Sequence, residues 1–332
     1  MEVLYNGHSY PSNCGSDFMV ARIFDLFKTA RPRQWVKNLT LYAGLIFTGN
    51  VASSLLWWSN FWMVTEAILA FTLVAISVYF LNDLVDIKGD QAHPFKKFRP
   101  VAMGRISKST AMVVFLAAGA VGLGWARSLS PLFFLIVLGY WALQILYSLV
   151  LKNMEVVDVF VIALGFFLRV LAGAIVINAH LSIWFLLCVI SVSLFLAAGK
   201  RRAELAILTE KNAAAHRKVM GKYTTDILDQ YVGMFATSSY LSWALYTFNF
   251  YEQAPSLVPS SLILLSRTLT INKWLMATIP VVIFGIMRYI RIIYDGARAE
   301  TPEKVILSDL PLLMSVAIWG AMVVAVLYLG PI

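Results

Sequence analysis

The sequence predicts an all-α, polytopic membrane protein with nine transmembrane helices. Three observations carry that prediction: an apolar composition, nine separate apolar runs of spanning length, and a steep alternation of basic residues between successive connections. Of the 332 residues, 60% are hydrophobic and only 14% charged, and mean hydropathy is +0.75. Soluble domains run at about half apolar and a quarter charged, so a soluble fold is excluded.

A bilayer core of ~30 Å takes about 20 apolar residues per helix. Such runs fall at 39–58, 61–81, 109–126, 132–150, 156–178, 181–199, 229–250, 272–292 and 311–330. Trp57, Trp58, Trp62, Tyr140, Trp141, Trp184, Trp274 and Tyr328 lie near their ends, where interfacial aromatics belong. Residues 1–28 lack the basic-then-apolar order of a secretory signal and are expected to be a retained cytoplasmic tail, with 29–332 as one transmembrane domain.

Orientation follows from lysine and arginine. Of 27 such residues, Arg127, Arg267 and Lys273 fall on odd-numbered connections or the run edge beside them, Arg169 falls in the middle of a run, and the other 23 fall on the N-terminal segment and on even connections or the run edges beside them. Basic residues stay on the cytoplasmic side, so the N-terminus is expected inside, the C-terminus outside and the protein in the cytoplasmic membrane. The net charge of +9 reflects that topology before any ligand. Cys14 and Cys188 are too far apart in context for a disulfide framework or metal cluster. His8, His93, His180 and His216 are equally scattered, and only His93 lies near the motif described next.

Only the connections 82–108 and 200–228 are long, and both are rich in charge. The second run leads straight into Asn82-Asp83-Leu84-Val85-Asp86-Ile87-Lys88-Gly89-Asp90. If helical geometry continues, Asp83, Asp86 and Asp90 stand at i, i+3 and i+7 on one face. Three carboxylates so close repel one another unless a cation neutralises them, and hard Mg²⁺ takes carboxylates together with water and phosphate oxygens. Lys96, Lys97 and Arg99 follow at once, suited to phosphate oxygens that a metal leaves free, and Pro94 and Pro100 make this stretch a loop able to fold back. Positive-inside topology is the plainer account of the lysines, but it does not explain the aspartates.

NDLVDIKGD resembles the first aspartate-rich motif, NDxxDxxxD, of the UbiA superfamily of intramembrane prenyltransferases, whose members have nine helices. Arg31-Pro32-Arg33-Gln34-Trp35-Val36-Lys37-Asn38, His93 to Pro100, and Gly199-Lys200-Arg201-Arg202-Ala203-Glu204-Leu205 are similar to the branch that transfers phosphoribosyl groups to decaprenyl phosphate. The resemblance covers roughly residues 29 to 310 and implies an Mg²⁺ held by Asp83, Asp86 and Asp90, with Asn82 beside them. Ordinary superfamily members carry a second aspartate motif after the sixth span. Here that stretch is basic, with Glu204 as its one acid, which fits two phosphorylated substrates, phosphoribosyl diphosphate and a polyprenyl phosphate.

The resemblance therefore implies displacement of diphosphate from the ribose anomeric carbon by a lipid phosphate, with Lys37, Lys96, Lys97, Arg99, Lys200 and Arg201 as phosphate ligands. The branch also shares Tyr147-Ser148-Leu149-Val150-Leu151-Lys152 followed by Asp158. Lys152 reads as a phosphate ligand or an interfacial anchor, and Asp158 as a ligand for ribose hydroxyls or a second metal. Arg169 lies eleven residues beyond Asp158, about three turns and roughly 16 Å deeper on the same face. A mid-span arginine costs about 2.5–3.5 kcal/mol on insertion scales; either it has a function, such as anchoring the acceptor phosphate or shaping the cavity floor, or it forms a structural interhelical pair. The rival readings are a prenyl-diphosphate-dependent aromatic or quinone prenyltransferase and, from another class, a transporter or flippase. No nucleic-acid partner is expected, and homo-oligomerisation is left open.

Overall fold

The computed structural model describes residues 15–47, 54–92, 96–207, 223–250, 273–294, 305 and 308–328, and all of its regular elements are helical. Helix α1 (Gly15–Thr29) is followed by a 3₁₀ stretch (Pro32–Leu41), α2 (Tyr42–Phe47), α3 (Ser54–Val85) and α4 (Ile87–Ala92). After a 3₁₀ turn (Lys96–Phe98) come α5 (Lys108–Leu129) and α6 (Pro131–Leu149). A turn at Leu151–Asn153 leads to α7 (Val157–Val176), α8 (Ile183–Ile207) and α9 (Thr225–Asn249). A turn at Trp274–Thr278, α10 (Ile279–Tyr294) and α11 (Leu310–Tyr328) are the last elements among the described residues.

Seven of these helices are long and apolar enough to cross a bilayer, which makes this a multi-pass membrane protein. The expected nine divide differently among the described residues. Run 39–58 is not one helix: it is shared among the 3₁₀ stretch, α2 and the start of α3. Ser59 and Asn60, read as a break between the first two runs, do not interrupt α3, because nothing from Ser54 to Val85 is glycine or proline. Run 229–250 does form a 25-residue helix, α9, but Gln230, Thr237, Ser238, Ser239 and Ser242 lower its apolar character.

Two features of the packing bear on the site. At 32 residues, α3 is about 48 Å long, well beyond the ~30 Å hydrocarbon core, so one end carries its polar residues clear of lipid. Secondly, α7 meets the 3₁₀ stretch and α2 backbone to backbone: a Cβ on Gly173 would stand 1.9 Å from the Leu41 carbonyl oxygen, and one on Gly44 2.7 Å from Ala174 Cα. Only glycine permits that approach. The N-terminal region, expected as a tail, contains α1, which exposes Val20, Ile23, Phe24 and Phe27 while burying Asp25 and Thr29. The helix is tied to the loop after α4 by Asp25–Arg105 at 3.6 Å and by the exposed Lys28, whose Nζ donates to the Phe98 carbonyl at 3.5 Å.

Candidate active site

The backbone ladder of α3 runs past its last turn into α4. The Asp86 amide donates to the Asn82 carbonyl at 2.9 Å and the Asp90 amide to Asp86 at 2.8 Å. Asp83, Asp86 and Asp90 thus share one face, as their spacing predicts. Asp83 and Asp90 are buried, whereas the Asp86 side chain is 38% exposed. Each carboxylate is met by a cation. Arg31 pairs with Asp83, Lys152 pairs with Asp86, and Arg99 Nη1 reaches both Asp83 at 3.2 Å and Asp90 at 2.7 Å. Three acids therefore face three bases. Burial pushes the Asp90 carboxyl above its ordinary range and the neighbouring Asp83 and Asp86 add to this, while Arg99 opposes them.

These oxygens are the donor type a hard divalent cation takes. Among the described residues, however, no three acid, histidine or cysteine side chains already stand as a metal cage. The carboxylates are drawn onto their cations instead. Arg99 keeps Asp83 and Asp90 within reach of one guanidinium, so the residues fit a metal once Arg31 and Arg99 turn away.

A second ionic cluster lies beside the first. Arg201 is wholly buried, and all three guanidinium nitrogens are engaged: Nε with Asp158 Oδ2 at 2.5 Å, Nη1 with Glu204 Oε2 at 2.5 Å, and Nη2 with the Tyr147 hydroxyl at 2.8 Å. Lys96 reaches Glu204 from outside at 3.5 Å. Here two acids face two bases. Arg201 and Glu204 were expected in the connection beyond the sixth run, but α8 continues as a helix to Ile207, and that continuation places them in register, three residues apart. The end of α6 joins the clusters, because Ser148 donates to Asn82 on one side while Tyr147 serves Arg201 on the other.

Tyr223, which no motif in the sequence marks, completes the second cluster. Its hydroxyl donates to Asp158 Oδ1 at 2.6 Å and accepts from the Val156 amide at 2.8 Å. Burial, then the adjacent carboxylate, pushes its phenol above the ordinary range, so it keeps the proton it donates. Val156 has φ 63° and ψ −48°, and the Val157 amide donates back to the Glu155 carbonyl at 2.6 Å. This is a γ-turn of the rare positive-φ form, which costs a β-branched residue about 1–3 kcal/mol.

The other expected residues are less closely tied to these clusters. Arg169 is buried and satisfied by neutral groups: Nε by Asn38 at 2.9 Å, Nη1 by the Gly165 carbonyl at 2.7 Å and Nη2 by the Tyr140 hydroxyl at 2.7 Å. It also lies over the rings of Phe71, Tyr140 and Phe166, contacts that favour a cation. It braces the 3₁₀ stretch against α6 and α7. Lys37 and Lys200 are half-buried on the 3₁₀ stretch and α8, and Lys97 is exposed with its ammonium 5.2 Å from the Phe98 ring centre. His93 and Pro94 lie outside the described residues.

Arg31, which opens a motif quoted above but was given no role there, precedes a proline and adopts a left-handed conformation, φ 54° and ψ 61°, at the point where its side chain meets Asp83. Ser148 likewise lay inside a quoted motif without a role, whereas Tyr223 had no sequence signal.

Between α2, α7, α8, α9, α10 and α11 lies an apolar cavity of about 420 Å³, lined among others by Phe47, Phe166, Phe185, Trp243 and Trp319. Phe195 and Leu196 also line it, about one turn of α8 before Lys200.

A helical membrane bundle that joins an aspartate-bearing helix end to a buried ion cluster, with an apolar cavity farther along the two helices that carry that cluster, is built as an intramembrane transferase. The chain belongs to the UbiA prenyltransferase family, matched over residues 39–308. It is 32% identical over 303 residues to the decaprenyl-phosphate phosphoribosyltransferase of Mycobacterium tuberculosis, covering 91% of this chain and 94% of that one. To the protein of the same name from Corynebacterium glutamicum it is 31% identical, covering 92% and 87%. Its fold is similar to that of a UbiA homolog from Archaeoglobus fulgidus bound to DMAPP and Mg²⁺, with TM-score 0.66, 19% identity and coverage of 91% and 99%.

Proposed function

We propose that this transferase moves the 5-phosphoribosyl group from phosphoribosyl diphosphate to a polyprenyl phosphate of the decaprenyl type, releasing diphosphate, at the cytoplasmic end of the bundle. The observation that carries the reading is a pair of charge-balanced clusters, supplied with Arg31, Arg99, Lys152 and Lys96, on a bundle whose α7 and α8 carry both members of the second cluster and the wall of an apolar cavity. One ligand class has that character, a phosphorylated lipid. The relatives' names supply the phosphoribosyl donor, and the product would feed cell-envelope glycan synthesis.

In this reading an oxygen of the lipid phosphate bonds to ribose C1 as the C1–O bond to diphosphate breaks. The acceptor is already an anion, so no strong general base is needed. Asp83, Asp86 and Asp90 would hold Mg²⁺, which when bound supplies Lewis-acid stabilisation of the departing diphosphate. Arg31, Arg99 and Lys152, freed from the carboxylates, are stationed to take phosphate oxygens, with charge-assisted contacts of about 1.5–3 kcal/mol each. Lys96, at the rim of the second cluster, serves the same purpose. Arg201 is fully engaged and orders Asp158 and Glu204 instead of meeting phosphate itself. The cavity would take the first isoprene units, and Arg169 would stiffen its wall through Phe166.

The split of basic residues supports a cytoplasmic N-terminus, an external C-terminus and nine crossings, with the region around α2 and helix α9 supplying the two beyond the seven. A reporter fused after Ile332 should read as external and one at 200–228 as cytoplasmic; finding both on one side removes the topology. Function is tested by incubating purified protein with Mg²⁺, labelled phosphoribosyl diphosphate and a polyprenyl phosphate. Label should enter the organic phase only when both substrates are present. Diphosphate release from a prenyl diphosphate with a ring acceptor would instead favour an aromatic prenyltransferase.

A further inference from the structure

We infer that Tyr223 is a positioning residue: by holding the strained turn at Glu155–Val157 and Asp158 through one hydroxyl, it sets the direction of the Asp158 carboxylate. The inference deepens the proposed function and rests on it for its kinetic arm. Three observations converge. The Val156 backbone is in a positive-φ conformation that a valine does not hold unaided. Its amide is captured by the Tyr223 hydroxyl at 2.8 Å, and the same oxygen donates to Asp158 Oδ1 at 2.6 Å. The Val156 side chain is 41% exposed, so packing of that side chain does little to enforce the conformation.

The consequence runs through α7. Val156 caps that helix without any side-chain hydrogen bond, and Asp158 lies in its first turn with Oδ2 on Arg201 Nε at 2.5 Å. Relaxing Val156 toward negative φ would rotate the start of α7 and move Asp158 relative to Arg201, Glu204 and Tyr147. One hydroxyl thus fixes two atoms two residues apart in the chain, and the geometry of the second cluster depends on it. Tyrosine is well suited to such a clamp, since its hydroxyl accepts and donates at once and its rigid ring carries the oxygen to a fixed point.

The test uses full-length protein in detergent or nanodiscs and combines Tyr223→Phe with Val156→Gly. Tyr223→Phe removes both hydrogen bonds and keeps the ring. It should speed amide exchange in the peptide containing residues 154–160, leave exchange elsewhere unchanged, and lower phosphoribosyl transfer about tenfold or more. Glycine accepts positive φ without strain. Adding Val156→Gly to Tyr223→Phe should therefore hold the turn and recover a large part of the lost rate.

Tyr223→Phe with wild-type exchange and wild-type rate would overturn the inference. A slow Tyr223→Phe enzyme that Val156→Gly does not rescue would also overturn it, because the hydroxyl would then act otherwise than through the turn. Exchange spreading across α7 and α8 in Tyr223→Phe would assign a general structural role and count against it as well. If the unmodified protein transfers no label, the proposed function fails, while the exchange measurement still decides the clamp.

Discussion

The two ionic clusters are balanced alike but built differently. In the cluster at the end of α3, Lys152 is buried but the two arginines are partly exposed, Arg31 20% and Arg99 27% accessible, and each is committed to one or two carboxylates. In the cluster on α7 and α8, Arg201 and Asp158 have no accessible surface, and every guanidinium nitrogen is used. In the proposed function the first can exchange partners, because Arg31, Arg99 and Asp86 are open to water. The second cannot do so without unpacking the helices around it. What distinguishes the two clusters is the access of their arginines to water, since acids and bases balance in both.

The largest expected effect breaks the framework. Arg201→Ala would leave Asp158 and Glu204 buried without their shared partner, and removing one member of a buried pair typically costs about 3–5 kcal/mol. The variant should lose monodispersity or unfold at markedly lower temperature in detergent. A variant as stable as the parent would show that the cluster is not a framework.

Next come the carboxylates. Asp86→Asn should abolish transfer with the smaller loss of thermal stability, because Asp86 is the most exposed of the three and water screens its side of the pair with the buried Lys152. Asp83→Asn should abolish transfer too but also lower stability, since Asp83 is buried between Arg31 and Arg99. Comparing transfer rates and melting curves of the two variants separates the roles; equal stability losses would erase the distinction drawn between buried and exposed acids. EDTA should stop both the parent enzyme and any residual activity.

A middling effect is expected at Arg31. Arg31→Lys keeps the charge but not the guanidinium fork, so apparent affinity for phosphoribosyl diphosphate should fall several-fold, read as a rise in KM larger than the change in kcat. The smallest effect belongs to Lys97→Ala. Its ammonium lies in the open over Phe98, and rates should stay within about twofold, as for other exposed charges away from a paired site.

Much of this was legible along the chain. Apolar runs marked the membrane class, and the i, i+3, i+7 aspartates marked the helix end because an uninterrupted α3 carries its period straight through Asn82. Placing Lys200 to Glu204 in a connection failed for a physical reason. Charge density ends an apolar run but not the helix that carries it, because Arg201 is neutralised by Asp158, 43 residues earlier, and Glu204 lies on the next turn of the same helix. A pairing at that separation leaves no local periodicity.

The order of residues along the chain determined what short-range rules govern: a membrane protein by hydropathy, an acidic helix face by the period of one helix, and family membership by motif. Only the tertiary structure decided which cations meet which acids. Arg31 rather than Lys37 reaches Asp83 because a left-handed residue before Pro32 turns it inward. Arg201 supports the site from within because α7 and α8 bury it completely. Tyr223 joins the site because the chain returns beside Val156. Partner choice among buried charges depends on desolvation and distance in three dimensions, and neither is encoded in the spacing of residues along the chain.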